Sequence, residues 1–172
     1  FQRIIPILIS ICVLASSSVA FAQDDYERAT SYAEKGMKAF QNDEFVEAGD
    51  HFKKANNLFN DPTLAKSAMY SYYKGDACTQ AVEAADELKR ISPNQDVPKE
   101  HRDEYREVQV NCRISFARAE LKAGDKEKAQ ATLNTAYPYG PNSDELAEMK
   151  ELEAEMSTSS GTVKDPEPPS TE

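Results

Sequence analysis

The sequence contains few of the residues from which metal sites, cofactor loops and catalytic centres are built. It has two histidines, three cysteines and six glycines among 172 residues. His51 and His101 are isolated, with no cysteine, histidine or carboxylate at the spacing of a known metal-ligand motif. Phosphate-cradling glycine loops, the nucleophile elbow and the metalloprotease helix motif are all missing from the sequence. The sequence therefore predicts no enzyme activity, no metal and no cofactor.

Positive charge is also scarce. Lysine and arginine number 20 against 30 aspartates and glutamates, which gives a net charge of −10. A nucleic-acid-binding surface needs a basic patch, and docking on anionic lipid needs clustered cations. This composition argues against both classes, and it is typical of a protein whose acidic helix faces keep it in solution.

A pattern of small and apolar residues recurs three times. Its copies are Ala48, Phe52 and Ala55; Ala81, Ala85 and Leu88; and Ala129, Leu133 and Ala136. A polar turn precedes each copy, and a proline follows it. Residues four and seven apart lie on one face of a helix, where small alanines let a neighbouring helix approach closely. The pattern predicts three helix hairpins that pack in series.

These copies resemble the tetratricopeptide repeat, a helix hairpin of about 34 residues with an A-x3-F pattern and a terminal proline. Tyr32 and Gly36 stand where the family has Trp and Gly in its first helix. The resemblance covers roughly residues 26–156. It implies an all-α fold in which about three hairpins form a right-handed superhelical stack. We also expect a C-terminal capping helix over residues 143–156, which begins with Asn142 as N-cap and Glu145 as its partner.

In this family, the first helices of successive repeats line a concave groove that binds a protein or peptide. The corresponding positions here are Thr30, Ala33, Met37, Phe40, Lys66, Tyr70, Tyr73, Lys74, Ile114, Arg118, Leu121 and Lys122. We predict partner contacts for seven of them: Met37, Lys66, Tyr70, Tyr73, Lys74, Arg118 and Lys122. Aromatic anchors with flanking cations suit a partner that carries acidic groups. The alternative is that half of these tyrosines belong to the core between repeats.

The family contains a version that clamps a carboxylate, and the sequence departs from it. Ala33 and Met37 stand where that clamp uses Lys and Asn. The resemblance therefore does not imply a chaperone C-terminus as the partner.

The first residues have the features of an export signal. Arg3 precedes an apolar stretch from Ile4 to Ala15, and Ala20 and Ala22 have the spacing of a signal-peptidase site. We predict a signal peptide over residues 1–22, cleaved after Ala22, and a periplasmic or secreted protein with no stable membrane insertion. The rival interpretation is an uncleaved membrane anchor.

Residues 157–172 contain Ser, Thr, Pro and acidic residues with almost no apolar side chain, which predicts a disordered tail. A short recognition peptide is the alternative. The repeat domain would then extend from residue 23 to residue 156.

Two cysteines remain after signal cleavage, and an even pair in an oxidising compartment is a disulfide candidate. Cys78 and Cys112 lie at equal distance in sequence from Gln95, in the turn before a helix predicted from about Lys99. Equidistant residues face each other in an antiparallel hairpin. We therefore predict a disulfide between them, and two reduced core thiols are the alternative.

Together these features predict a non-catalytic interaction scaffold of the bacterial cell envelope that binds a partner in its groove. The alternative is a structural subunit that self-associates through exposed apolar edges. A hydrolase of envelope polymers would need a carboxylate pair in a cleft, and the sequence singles out none.

Overall fold

The computed structural model describes the backbone of residues 5–158 and the side chains of residues 23–158. Within this range the secondary structure is helical, with no β-strand. Seven α-helices follow in order: α1 (Ile5–Gln41), α2 (Phe45–Phe59), α3 (Pro62–Lys74), α4 (Cys78–Ile91), α5 (Arg102–Lys122), α6 (Lys126–Asn134) and α7 (Ser143–Thr158). The side chains of the predicted signal peptide (residues 1–22) and most of the predicted tail (residues 157–172) lie outside the described residues. The all-α prediction is confirmed.

The chain divides into two compact units, residues 1–108 and residues 109–172. In the first unit each helix packs against the next one in sequence, α1 on α2, α2 on α3 and α3 on α4. In the second unit, α6 and the described part of α5 beyond residue 108 share an apolar core with α7. Within each unit, helices that are adjacent in sequence thus pack against each other, as the repeated pattern predicts.

The repeated small and apolar residues form the core. All nine residues of the three copies are buried. The third copy differs from the other two because α6 ends at Asn134, so that Ala136 follows the α-helix and precedes a short 3₁₀ helix at Tyr137–Tyr139. Ala136 nevertheless reaches the same core. The spacing therefore predicted the burial of Ala136 correctly, but it overestimated the length of α6.

Two glycines let helices approach more closely than a side chain would allow. A Cβ atom on Gly49 would lie 2.6 Å from the ring of Tyr72, and one on Gly36 would lie 3.0 Å from the ring of Phe52. Both rings are buried. Because Gly49 has no side chain, the Tyr72 ring of α3 packs against the backbone of α2. In the same way, Gly36 lets the Phe52 ring of α2 pack against the backbone of α1.

Helix ends follow from local sequence signals. The Asp61 carboxylate caps α3 by accepting hydrogen bonds from the backbone N–H of Thr63 and Leu64, and Pro62 occupies the first helical position. At α7 the Asn142 side chain accepts from the Glu145 N–H at 3.0 Å, and the Glu145 carboxylate accepts from the Asn142 N–H at 2.6 Å. This reciprocal pair is the predicted start of the capping helix.

Cys78 and Cys112 form the predicted disulfide. The helix that follows the long turn also forms, with a 3₁₀ turn from Lys99 leading into α5 at Arg102. A disulfide fits an oxidising compartment.

Candidate functional site

Four of the predicted groove positions line a single cavity in the first unit. They come from the first helices of two successive hairpins, Met37 and Phe40 on α1 and Lys66 and Tyr70 on α3. The cavity has a volume of about 250 Å³, and its other lining residues are Gln41, Phe52, Ser67 and Ser71. Residues three or four apart share one helix face, so the spacing within each helix brings these side chains to the same side. The structure therefore brings together positions that the repeat pattern had assigned separately.

Aromatic rings form one wall of the cavity. The ring of Phe40 stacks on that of Tyr70, with centroids 6.3 Å apart and an angle of 26° between the planes. Phe40 also makes an edge contact with Phe45, at 5.1 Å between centroids. Because each ring is held by a neighbour, the wall presents its aromatic surface at little entropic cost.

Two lysines flank the Tyr70 ring on α3. The Lys66 ammonium lies 5.6 Å from the ring centroid and the Lys74 ammonium lies 5.2 Å from it. Lys66 also forms an ion pair with Glu104 at 3.0 Å, whereas Lys74 is exposed. A hydrogen bond with Tyr70 raises the pKa of Lys74. Both cations lie within cation–π range of the ring, and together they place positive charge at the edge of the cavity.

The three tyrosines of α3 have three different environments. Tyr70 lines the cavity, Tyr72 is buried in the core, and Tyr73 is half-buried with its hydroxyl 3.3 Å from a Glu107 carboxylate oxygen. The Tyr72 hydroxyl donates a hydrogen bond to Asp50 at 2.7 Å. Burial and this bond raise the pKa of Tyr72 above its ordinary value. The predicted anchor Tyr73 therefore lies beside the cavity, at 6.5 Å from the Tyr70 ring, and does not line it.

The predicted positions of the second unit divide between its surface and its core. Arg118 forms an ion pair with Glu148 at 2.6 Å, and it lines a cavity of about 540 Å³ together with Leu121 and Lys122. Ile114 is 2 % exposed and belongs to the apolar core, against which Leu121 also packs. The expectation that Ile114 lines a groove is therefore wrong, because the α6 and α7 side chains cover that face of α5.

Thr30 and Ala33 line a different cavity of the first unit. This cavity has a volume of about 430 Å³ and also contacts Tyr26, Phe59 and Leu64. The Tyr26 and Phe59 rings meet edge to face at 5.8 Å. Both are well exposed, at 59 % and 46 %, which makes this the most exposed aromatic pair of the described side chains.

Within the described residues, no group of three His, Cys, Asp or Glu side chains could hold a metal ion. His51 stacks on Tyr32 and lies 3.5 Å from a Glu47 carboxylate oxygen. None of the helices in the described part of the chain is both long and apolar enough to cross a membrane.

Sequence reasoning missed part of the cavity. Phe52 is the central apolar residue of the first repeated pattern, which indicates a core position, yet it also lines the cavity. Gln41 and Ser67 each lie one residue from a predicted groove position, and nothing in the spacing marked them as lining residues. No protein-family model matches the chain, and a comparison with curated proteins found no significant similarity.

Proposed function

We propose that this protein is an exported, non-catalytic interaction module of the bacterial cell envelope. Its hairpins would stack as tetratricopeptide-like repeats into a right-handed superhelix, and a partner would bind across their first helices. The order of helices, the buried small residues and the polar turns support this assignment. The predicted signal peptide and the disulfide support export to an oxidising compartment.

One observation carries the proposal. Met37, Phe40, Lys66 and Tyr70 were selected from sequence because of their place in the repeat, and they line one cavity with an aromatic wall. Met37 is 53 % exposed, so its apolar side chain is accessible to a partner at the cavity. A partner side chain that enters the cavity would bury apolar area on Phe40, Phe52 and Met37.

Charge defines the chemistry of the partner. The Lys66 and Lys74 ammonium groups lie 5.6 and 5.2 Å from the centroid of the Tyr70 ring in a protein whose net charge is −10. An apolar side chain with a neighbouring carboxylate would satisfy both the aromatic wall and these cations. An aromatic or cationic anchor at the centre of such an interface contributes on the order of 2 kcal/mol to binding.

Capture from the native envelope fraction tests the proposal. Wild-type protein is compared with Met37→Ser and Lys74→Glu, which change exposed residues of the cavity and its edge. Lys54→Glu is the matched control, because Lys54 is an exposed lysine of α2 that does not line the cavity. We expect a protein captured by the wild type and the control to be lost with both cavity variants, all four chains having the same melting temperature. Equal capture by all four would contradict the proposal.

A second candidate function is self-association as a structural subunit. The observation that favours it is the exposed aromatic pair Tyr26 and Phe59. Light scattering of the wild type and of Phe59→Ser separates the two functions. A dimer that Phe59→Ser dissociates supports self-association, and a monomer at all accessible concentrations excludes it.

A further inference from the structure

The first unit has another cavity, which lies apart from the predicted groove. It lies between α2, α3 and α4 and has a volume of about 280 Å³. Its lining residues include Lys53, Asn56, Ala65, Ala68, Glu83 and Ala84. None of them lines the cavity at Tyr70.

The buried lining residues of this cavity are small and apolar except for one side chain. Ala65, Ala68 and Ala84 are buried, and they leave the space that a longer side chain would fill. Asn56 is 3 % exposed, and its Oδ1 atom has no hydrogen-bond partner among the described residues. A buried carbonyl oxygen without a donor is unfavourable, and native proteins pair nearly all such atoms. One lining residue of the cavity therefore has a buried acceptor that lacks a donor.

Carboxylates lie at the rim of the same cavity. The Lys53 ammonium reaches Glu83 at 3.5 Å, a long ion pair between two exposed side chains. Glu87, one helical turn further along α4, accepts two hydrogen bonds of 2.6 Å from Arg90. The lining residues thus present more hydrogen-bond acceptors than donors. Of the two carboxylates, Glu83 has the longer and weaker contact with its cation.

We propose that this cavity binds an arginine side chain of a protein partner. Its aliphatic stem would lie against the buried alanines, and its guanidinium would replace Lys53 at Glu83. It would also donate to Asn56 Oδ1 once a rotation of the Asn56 side chain turns this buried atom toward the cavity. A guanidinium carries five donors in a planar arrangement and can reach two acceptors at once, which a compact ammonium does not do equally well. This site is separate from the groove and does not depend on the groove proposal.

Titration of the ¹⁵N-labelled full chain, with its disulfide intact, tests the site by NMR. The probe is N-acetyl-arginine amide, and its neutral counterpart is N-acetyl-citrulline amide, which has nearly the same shape. We expect saturable shifts of the Asn56 side-chain amide and of the Ala65, Ala68 and Ala84 backbone amides with the arginine probe. The citrulline probe should bind at least tenfold more weakly, and the corresponding lysine probe should lie between them.

Variants assign the binding to the proposed contacts. Glu83→Gln should weaken the arginine probe at least fivefold, and Glu34→Gln, a change of an exposed carboxylate on α1, should leave it unchanged. Asn56→Leu should abolish binding, because it removes the acceptor and fills the cavity, and its helical spectrum reports that the fold is retained. Equal binding of the citrulline or lysine probe, or shifts that do not saturate, would overturn the assignment.

Discussion

The substitution Gly49→Ala tests the closest helix contact of the first unit. The added Cβ would lie 2.6, 2.7 and 2.9 Å from three ring atoms of Tyr72, distances that real Cβ atoms essentially never show. The ring cannot move aside easily, because Tyr72 is buried and its hydroxyl donates to Asp50 at 2.7 Å. The clash must therefore be relieved by a shift of α2 against α3.

The magnitude follows from two opposing effects. Overpacking a well-packed core typically costs about 1–3 kcal/mol, and we expect the upper end because the ring is held at both ends. Alanine is favoured over glycine inside a helix by about 1 kcal/mol. The net expectation is a loss of about 2 kcal/mol in the free energy of unfolding. Urea denaturation followed by circular dichroism measures it as a fall of about 1 M in the midpoint, at a typical slope of about 2 kcal/mol per molar.

A double-mutant cycle separates the clash from other effects of the alanine. Tyr72→Leu removes the ring atoms that the new Cβ would meet, so Gly49→Ala should cost far less in that background. We expect a coupling free energy of about 1–2 kcal/mol between the two positions. A neutral or stabilising Gly49→Ala in the wild-type background would refute the close approach of α2 and α3.

Three further expectations concern pH, the disulfide and a helix cap. Because the folded-state pKa of Tyr72 is raised, its contribution to stability is complete below about pH 10 and is lost as the pH rises above that value. Tyr72→Phe should therefore flatten the fall of the urea midpoint between pH 9 and pH 11, and Tyr26→Phe, a change of an exposed ring, should not. Reducing the bond between Cys78 and Cys112 should remove roughly 3–4 kcal/mol of stability while much of the helical signal at room temperature persists; two free thiols in the denatured, unreduced chain would contradict the bond. Asn142→Ala should lower the free energy of unfolding by about 1 kcal/mol in urea titrations, since α7 loses its cap; an unchanged midpoint would mean that the cap contributes nothing.

The sequence determined the helices and their order. Three kinds of local signal are each complete within a few residues: Asp61 and Pro62 at the start of α3, the Asn142 and Glu145 pair at the start of α7, and the polar turns between hairpins. Burial of Ala48, Phe52 and Ala55 was equally predictable, because spacing of four and seven residues selects one face of a helix whatever that face meets.

Tertiary packing decided which predicted site residues remain accessible. The run of tyrosines on α3 gives no indication of its own that Tyr70 lines a cavity, Tyr72 enters the core and Tyr73 meets Glu107. That division depends on the rotation of α3 about its axis, which is set by contacts with α2 and α4. A change of one residue in register rotates a helix face by about 100°, and a repeat pattern fixes the register less precisely than that.

Dependence on tertiary packing also explains the remaining differences between the sequence-based predictions and the structure. Ile114 occupies a groove position by its spacing, but α6 and α7 cover it, and only the packed second unit could show this. Asn56 follows Ala55 as an ordinary polar residue of an amphipathic helix, and its burial beside three alanines arises only when α2, α3 and α4 pack together. Secondary structure is determined largely by residues that are close in sequence. The accessibility of a side chain depends instead on residues distant in sequence, which come into contact with it only when the helices pack.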